Sequence, residues 1–269
     1  MRRAGVPEAA VDAEVLLAHV LATDRLALYR EEQRALSPRE WTLFRDLLVR
    51  RARREPVAYL TGRKEFMGLA FAVNRAVLIP RPETELLVER ALALSSGWEA
   101  PVVVDVGTGC GAVAVSLAYY HAWAEVHATD ISDAALAVAR ENAARHGVAS
   151  RVHLYPGDLL APVVFLAGRV DLVVANLPYV TSGELARLPP DVRDYEPRAA
   201  LDGGPDGLAL YRRLVPQAAR VLRAGGVLLA EVGPGQGRVL ADLLVAAGWR
   251  ETRVILDYGG RERVVEAIR

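Results

Sequence analysis

The sequence predicts an α/β protein: an open parallel sheet with helices between its strands, preceded by a small helical lobe. Three observations carry this reading. From Val102 onward, apolar β-branched runs alternate with helical stretches, the order that builds a right-handed parallel sheet through crossover connections. The first run, Val102 to Val106, ends in glycines at 107, 109 and 111, where strand turns into helix. Acidic residues close the next two runs, Asp130 after Glu125 to Thr129 and Asp158 soon after Arg151 to Tyr155.

Residues 7 to about 62 read as helical. Pro7 suits a first turn, and Val11, Val15, Ala18 and Ala22 repeat at helical spacing. Ser37-Pro38-Arg39-Glu40 has the form of a capping box with proline at the first helical position. Trp41, Phe44, Leu47 and Leu48 then mark a stripe expected to be buried. The run Arg50-Arg51-Ala52-Arg53-Arg54 is expected to be a solvated helix end, its cations opposing the helix dipole. Residues 66 to 79, broken by Gly68 and Asn74-Arg75, read as a β-hairpin. Pro80-Arg81-Pro82 leads into a helix with Glu83 and Glu85 in its first turn. The last two apolar runs, Thr252 to Leu256 and Arg263 to Ile268, read as a second hairpin. The expected domains are a helical lobe at 1–64, a hairpin linker at 65–79 and the α/β domain at 80–269.

Composition narrows the function classes. A chain of 269 residues can hold two modest cores. No apolar run approaches the roughly 20 residues a membrane helix requires, and no signal peptide is evident. A single cysteine, Cys110, excludes an internal disulfide framework and fits a reducing compartment, so a cytoplasmic location is expected. Formal charge is zero, against a general nucleic-acid binder. Residues 1–64 carry thirteen basic and nine acidic side chains, so charge is unevenly spread. The five histidines lack metal-ligand spacing, and His127 and His153 read as packed within strands. No nucleophile elbow or phosphate-binding P-loop is present.

The glycine turn and the acids suit a nucleoside cofactor. Gly107-Thr108-Gly109-Cys110-Gly111 lets the backbone approach a ligand closely, and its spacing departs from the dinucleotide fingerprint by one residue. Asp130, at the tip of the second strand, is placed to hold ribose hydroxyls; Asp158-Leu159, after the third, could meet an adenine. The order of elements favours S-adenosyl-L-methionine over NAD. The fourth strand, from Asp171, runs straight into Asn176-Leu177-Pro178-Tyr179, where the sulfonium methyl of such a cofactor would point.

That tetrapeptide suits one hard task, methylating a planar NH2 whose lone pair is delocalised. Two acceptors gripping both N–H groups, the Asn176 side-chain oxygen and the Leu177 carbonyl, can orient the nitrogen and favour the charge it develops. Tyr179 offers a flat face for stacking. Glu196, just downstream, is read two ways, as a substrate contact or as part of a turn.

With these pieces the chain resembles the release-factor glutamine N5-methyltransferases (the PrmC/HemK family) nearly end to end. The likeness adds Pro56-Val-Ala-Tyr-Leu-Thr-Gly62, Glu65-Phe-Met-Gly-Leu69 and Leu78-Ile-Pro-Arg-Pro-Glu-Thr-Glu85 to the motifs above. It also includes Tyr195-Glu-Pro-Arg-Ala-Ala-Leu-Asp-Gly-Gly204, Asp206-Gly-Leu208 and Glu231-Val-Gly-Pro-Gly-Gln236. The resemblance implies a seven-stranded class I AdoMet-dependent methyltransferase (Rossmann-like) sheet with a small N-terminal helical domain and a β-hairpin linker. It implies methyl transfer to the side-chain amide of the glutamine in the Gly-Gly-Gln motif of class I peptide-chain release factors, with S-adenosyl-L-homocysteine as the other product. It implies cofactor contacts at Gly107, Thr108, Gly109, Cys110, Gly111, Asp130, Asp158, Leu159 and Asn176, and substrate contacts and catalysis at Asn176, Leu177, Pro178 and Tyr179. A monomer binding no metal, no membrane and no stable nucleic acid is expected.

Three departures stand out. The family's motif is usually Asn-Pro-Pro-Tyr, so Leu177 removes the ring that locks φ and a less preorganised loop is expected. Cys110 replaces a common small hydroxyl residue, with a steric role beside the cofactor. The abrupt Met1-Arg2-Arg3 start implies a shortened or missing first helix. The competing readings are methylation of adenine N6 or another exocyclic nucleic-acid amine, a NAD-dependent oxidoreductase, and an adaptor that keeps only the fold.

Overall fold

Downstream of residue 100, the apolar runs and glycine turns fold into one seven-stranded sheet. A computed structural model describes residues 1–269. The chain divides into two units, Met1–Arg63 with Leu188–Tyr195, and Lys64–Arg187 with Glu196–Arg269.

The first unit contains α1 (Ala9–Val20), α2 (Arg25–Arg30), α3 (Pro38–Ala52) and α4 (Val57–Thr61). Pro7 sits in a turn before α1, one residue outside its N-cap. Ser37 and Glu40 form the reciprocal capping box, with Pro38 at the first helical position. The expected apolar stripes need correction. In α1 the buried residues are Ala9, Leu16 and Ala18, whereas Val11 is 39% exposed and Ala22 lies outside the helix. Apolar residues surround this helix, so spacing alone could not select the inward face. Along α3, Trp41 is exposed and stacks edge-on against Phe44, while Phe44, Leu47 and Leu48 are only half-buried.

The buried residue of α3 is Arg51, and three arginines of the run are ion-paired, whereas the Arg53 side chain is exposed as expected. Arg51 meets Asp12 at 2.7 Å, Arg50 meets Glu55 at 2.8 Å, and Arg54 meets Asp191 at 2.9 Å. Tyr195 donates to the Arg53 carbonyl at 2.7 Å. These contacts explain why Leu188–Tyr195, distant in sequence, belongs to this unit: its acid and phenol complete polar groups on α3.

A hairpin of β1 (Arg63–Phe66) and β2 (Leu69–Ala72), all but its first residue in the second unit, is shorter than the expected 66–79 span. Met67 and Gly68 both have positive φ, the form of a two-residue primed turn. That conformation is unfavourable for methionine, but its N–H is held by Glu85 and its carbonyl by Tyr120. After Ala72 the chain leaves the ladder for an Asn74-centred turn, in which Oδ1 accepts from Ala76 N.

After α5 (Glu85–Ser95) come β3 (Val102–Val106), α6 (Ala112–Tyr120), β4 (Glu125–Asp130), α7 (Asp133–Arg145), β5 (Val152–Pro156) and β6 (Val170–Ala175). The chain then runs through α8 (Pro190–Arg193), α9 (Ala209–Val221), β7 (Leu222–Glu231), α10 (Gly237–Ala246), β8 (Arg250–Leu256) and β9 (Glu262–Ile268). Strand order is β5-β4-β3-β6-β7-β9-β8, with β9 antiparallel to both neighbours and the other pairings parallel. Central positions such as Val104, Val173 and Leu228 have no exposed surface. Covered on both faces, they explain why these strands read as unbroken apolar runs, each buried side chain contributing about 1.5–3 kcal/mol. The strand order reverses between β3 and β6, where a crevice opens at the carboxyl ends.

Candidate active site

Register brings the sequence motifs together. Val106 pairs with Thr129 on one side and with Ala175 on the other, so Gly107 lies between Asp130 and Asn176. The Gly107 and Thr108 amides both donate to the Thr129 carbonyl, at 2.9 and 3.0 Å. Gly107 has φ of 73°, and a Cβ there would come within 3.1 Å of the Leu177 side chain. Glycine is therefore required where the two loops touch.

Asp105, one strand residue earlier, braces this turn from behind. Its Oδ2 accepts from the Thr108 hydroxyl at 2.6 Å and from Ala114 N at 3.1 Å. Burial pushes its carboxyl up to about 7, against the pull of those two hydrogen bonds. Asp130 is placed differently, with one oxygen accepting from Gly109 N and the other from Ser132 N, each at 2.9 Å. These bonds hold the carboxylate at the turn while leaving each oxygen a further lone pair.

A cavity of about 380 Å³ occupies the crevice. Its wall includes Gly107, Gly109, Asp130, Asp158, Leu159, Asn176, Leu177 and Pro178, together with Leu78, Ile131 and Pro197. Thr108, Cys110, Gly111 and Tyr179 are not on that wall. Cys110 is buried behind it, its carbonyl accepting from Asn142 and its thiol pushed up to about 12 by burial. Asp158 forms an ion pair with Arg213, and both face the cavity.

The Asn176–Tyr179 loop is held from three sides. Asn176 Nδ2 donates to the Thr84 hydroxyl oxygen at 3.1 Å, which leaves Oδ1 as the acceptor. Leu177 N donates to the fully buried Tyr211 hydroxyl at 3.3 Å, and Tyr211 in turn donates to the Glu231 carbonyl. A proline at 177 could not make this bond. Leu177 thus gives the loop one hydrogen bond that a proline lacks, where it loses the ring constraint on φ. Gln236 Nε2 donates to the Tyr179 carbonyl at 2.8 Å. Gly207 lies so close that a Cβ would stand 2.2 Å from that same carbonyl.

The Tyr179 ring packs beside Gly233, where a Cβ would come within 3.0 Å of it. Burial raises its phenol, with the Glu231 charge adding to that rise. Glu196 lies in a bend shortly after α8, as its turn reading expects. It is buried, accepts from Arg81 at 2.6 Å and Ile79 N at 3.2 Å, and so fixes the segment beside Leu78 at the cavity wall.

Thr84, Tyr211 and Asp105 are the supporting residues that sequence reasoning did not single out. Thr84 and Asp105 lay within quoted motifs, whereas Tyr211 had only the apolar spacing of a core residue. Replacing Tyr211 with phenylalanine orphans the buried Leu177 N–H, and an orphaned buried donor costs about 1–3 kcal/mol. Denaturant unfolding should show that loss, and an unchanged midpoint would contradict the assigned bond.

The cavity suits a nucleoside with a charged tail: glycine backbone at one wall, a carboxylate with spare lone pairs at the next, and apolar Ile131 and Leu159 beyond. Ile131 is 72% exposed, an unusual place for a large apolar side chain unless a ligand covers it. No metal-binding cluster of His, Cys, Asp or Glu is present, and no helix is long and apolar enough to cross a membrane.

Comparison with known proteins agrees with this geometry. Residues 1–62 match a family described as the PrmC N-terminal domain, and residues 82–187 match the methyltransferase small domain. A release factor glutamine methyltransferase from Moorella thermoacetica is 48% identical over 266 residues, covering 98% of this chain and 93% of that protein. One from Cereibacter sphaeroides is 46% identical over 264 residues, covering 98% and 92%. Among solved structures, a methyltransferase from Pyrococcus furiosus has a TM-score of 0.55 at 19% identity, covering 82% of this chain and 98% of that one, a likeness of fold.

Proposed function

Because the chain belongs to the release factor glutamine methyltransferases, we propose that it methylates the side-chain amide nitrogen of the glutamine in the Gly-Gly-Gln motif of class I peptide-chain release factors. The observation that supports this most is the Asn176 carboxamide, anchored through its NH2 so that its oxygen is left to accept, beside the Leu177 carbonyl at the cavity wall.

The residues divide into two tasks. Gly107 and Gly109 let the backbone approach the cofactor, Asp130 accepts from the ribose hydroxyls, and Asp158-Leu159 border the adenine. When bound, S-adenosyl-L-methionine would supply an electrophilic methyl group on sulfonium sulfur, with S-adenosyl-L-homocysteine as the leaving group. Asn176 Oδ1 and the Leu177 carbonyl accept the two N–H groups of the glutamine amide. This turns the nitrogen lone pair toward the methyl and stabilises the positive charge that nitrogen acquires. That cationic nitrogen is acidic enough to lose its proton to water, so no buried base is required. Tyr179 packs its ring on the glutamine side chain. The helical unit docks the body of the release factor, and the enzyme works as a cytoplasmic monomer without bound nucleic acid.

The test is methyl transfer from labelled cofactor to a purified release factor, beside its Gly-Gly-Gln to Gly-Gly-Asn variant. Labelling should vanish with the glutamine. Cofactor binding without labelling of either protein would redirect the assignment to a nucleic-acid amine.

A further inference from the structure

No sequence motif marks the helix face that borders the Asp158 end of the cavity. Leu210 and Arg213 of α9 both stand on the cavity wall with Asp158 and Leu159. Gln217 follows Leu210 by seven residues and so shares its side of the helix. Its Oε1 accepts from Leu160 N at 3.0 Å.

The loop that meets this face is strained. Leu159 has φ of 50°, in the left-handed region that a leucine seldom adopts. Such a conformation persists only where its surroundings over-determine it. Here two side chains of α9 do so, Gln217 on the Leu160 amide and Arg213 in its ion pair with Asp158. That ion pair is about half exposed, and pairs so placed add little to stability. Its effect is geometric. Arg213 engages Asp158 Oδ2 and leaves Oδ1 to accept from another group.

The orientation of that carboxylate decides which base it can read. Adenine presents an exocyclic NH2 beside a bare ring nitrogen, whereas a 6-oxo purine presents an oxygen beside a ring N–H. A carboxylate only accepts hydrogen bonds. Held in one orientation, it meets the NH2 of the first base and the oxygen of the second. Free to pivot, it could follow the donor to the neighbouring ring position and accept from either base.

We propose that Arg213 is a positioning residue that determines specificity for the base of the cofactor: it locks the Asp158 carboxylate so that Oδ1 takes a 6-amino purine and rejects a 6-oxo one. The inference rests on the function proposed above, in which Asp158-Leu159 border the adenine. It deepens that reading by assigning selection of the base to a residue of α9, with Gln217 holding Leu159 as a fixed apolar wall beside the carboxylate.

The experiment measures equilibrium binding of S-adenosyl-L-homocysteine and of its 6-oxo analogue, S-inosyl-L-homocysteine. The proteins are wild type, Arg213→Ala, Asp158→Asn and the double variant, read by calorimetric titration. Wild type should prefer the adenosyl compound about 10- to 100-fold, the range of one hydrogen bond to a charged group. Arg213→Ala should bring the preference to within about threefold, the loss falling on the adenosyl compound. Asp158→Asn should lower the preference at least as far. Adding Arg213→Ala to it should change the ratio no further, because the arginine acts through the carboxylate. A residue that merely braced the loop would weaken both compounds alike. An unchanged ratio in Arg213→Ala, or a wild type that binds both compounds equally, therefore overturns the inference alone. If Arg213→Ala does not fold, Arg213→Gln removes the same charge and is read in the same way. A wild type that binds neither compound overturns the cofactor assignment, and with it the function reading and this inference.

Discussion

Replacing Asn176 with alanine is expected to cut turnover by about 10²–10³-fold while cofactor affinity stays within about threefold. The substitution removes one of the two acceptors proposed to grip the reacting amide, and acceptors act most when the nitrogen becomes positive. An interaction that strengthens in the transition state appears in kcat. Asn176 also lines the cavity, but its NH2 is committed to Thr84 at 3.1 Å, so little of its bonding capacity remains for the cofactor. Single-turnover rates and equilibrium cofactor binding separate the two effects. Weak cofactor binding combined with undiminished turnover of the bound enzyme would defeat the assignment.

The opposite signature is expected at Asp130. Alanine there should raise the cofactor Kd about 100-fold, close to 2.8 kcal/mol, with turnover at saturating cofactor nearly unchanged. Two hydrogen bonds to an ionised acceptor, each contributing about 1.5–3 kcal/mol, account for a loss of this size. The same carboxylate holds the amides of Gly109 and Ser132, so its removal also loosens the turn at the cavity wall. These interactions are the same before and during methyl transfer, and a loss of such uniform binding leaves kcat untouched. Calorimetric titration with the cofactor product would read the change; tight binding by Asp130→Ala would reassign the ribose site. Together the two variants test the proposed division of the crevice into a cofactor half and a reacting half.

Much of that crevice was legible in the chain because parallel strands place their carboxyl ends side by side. Gly107, Asp130, Asp158 and Asn176 each follow an apolar run, so topology alone makes them neighbours. The helical unit was harder. Val11 and Trp41 fit helical spacing and are nonetheless exposed, because a helix with apolar residues on several faces does not announce which one turns inward. The arginine run looked solvated because its partners, Asp12 and Asp191, lie 39 and 137 residues away from the arginines they meet. The partner of the Leu177 N–H was hidden for a similar reason, since Tyr211, which accepts it, lies 34 residues on.

The amino-acid sequence by itself determined the strand and helix order, the glycine turn, the acids at the strand ends and the Asn176–Tyr179 loop, all of them signals carried by neighbours along the chain. Only the tertiary structure decided how that loop is held: Thr84 on Asn176, Tyr211 on Leu177, Gln236 on Tyr179, and Glu231 buried behind them. Hydrogen-bond partners of buried polar groups are set by three-dimensional packing, and packing joins residues whose separation in sequence carries no periodic trace.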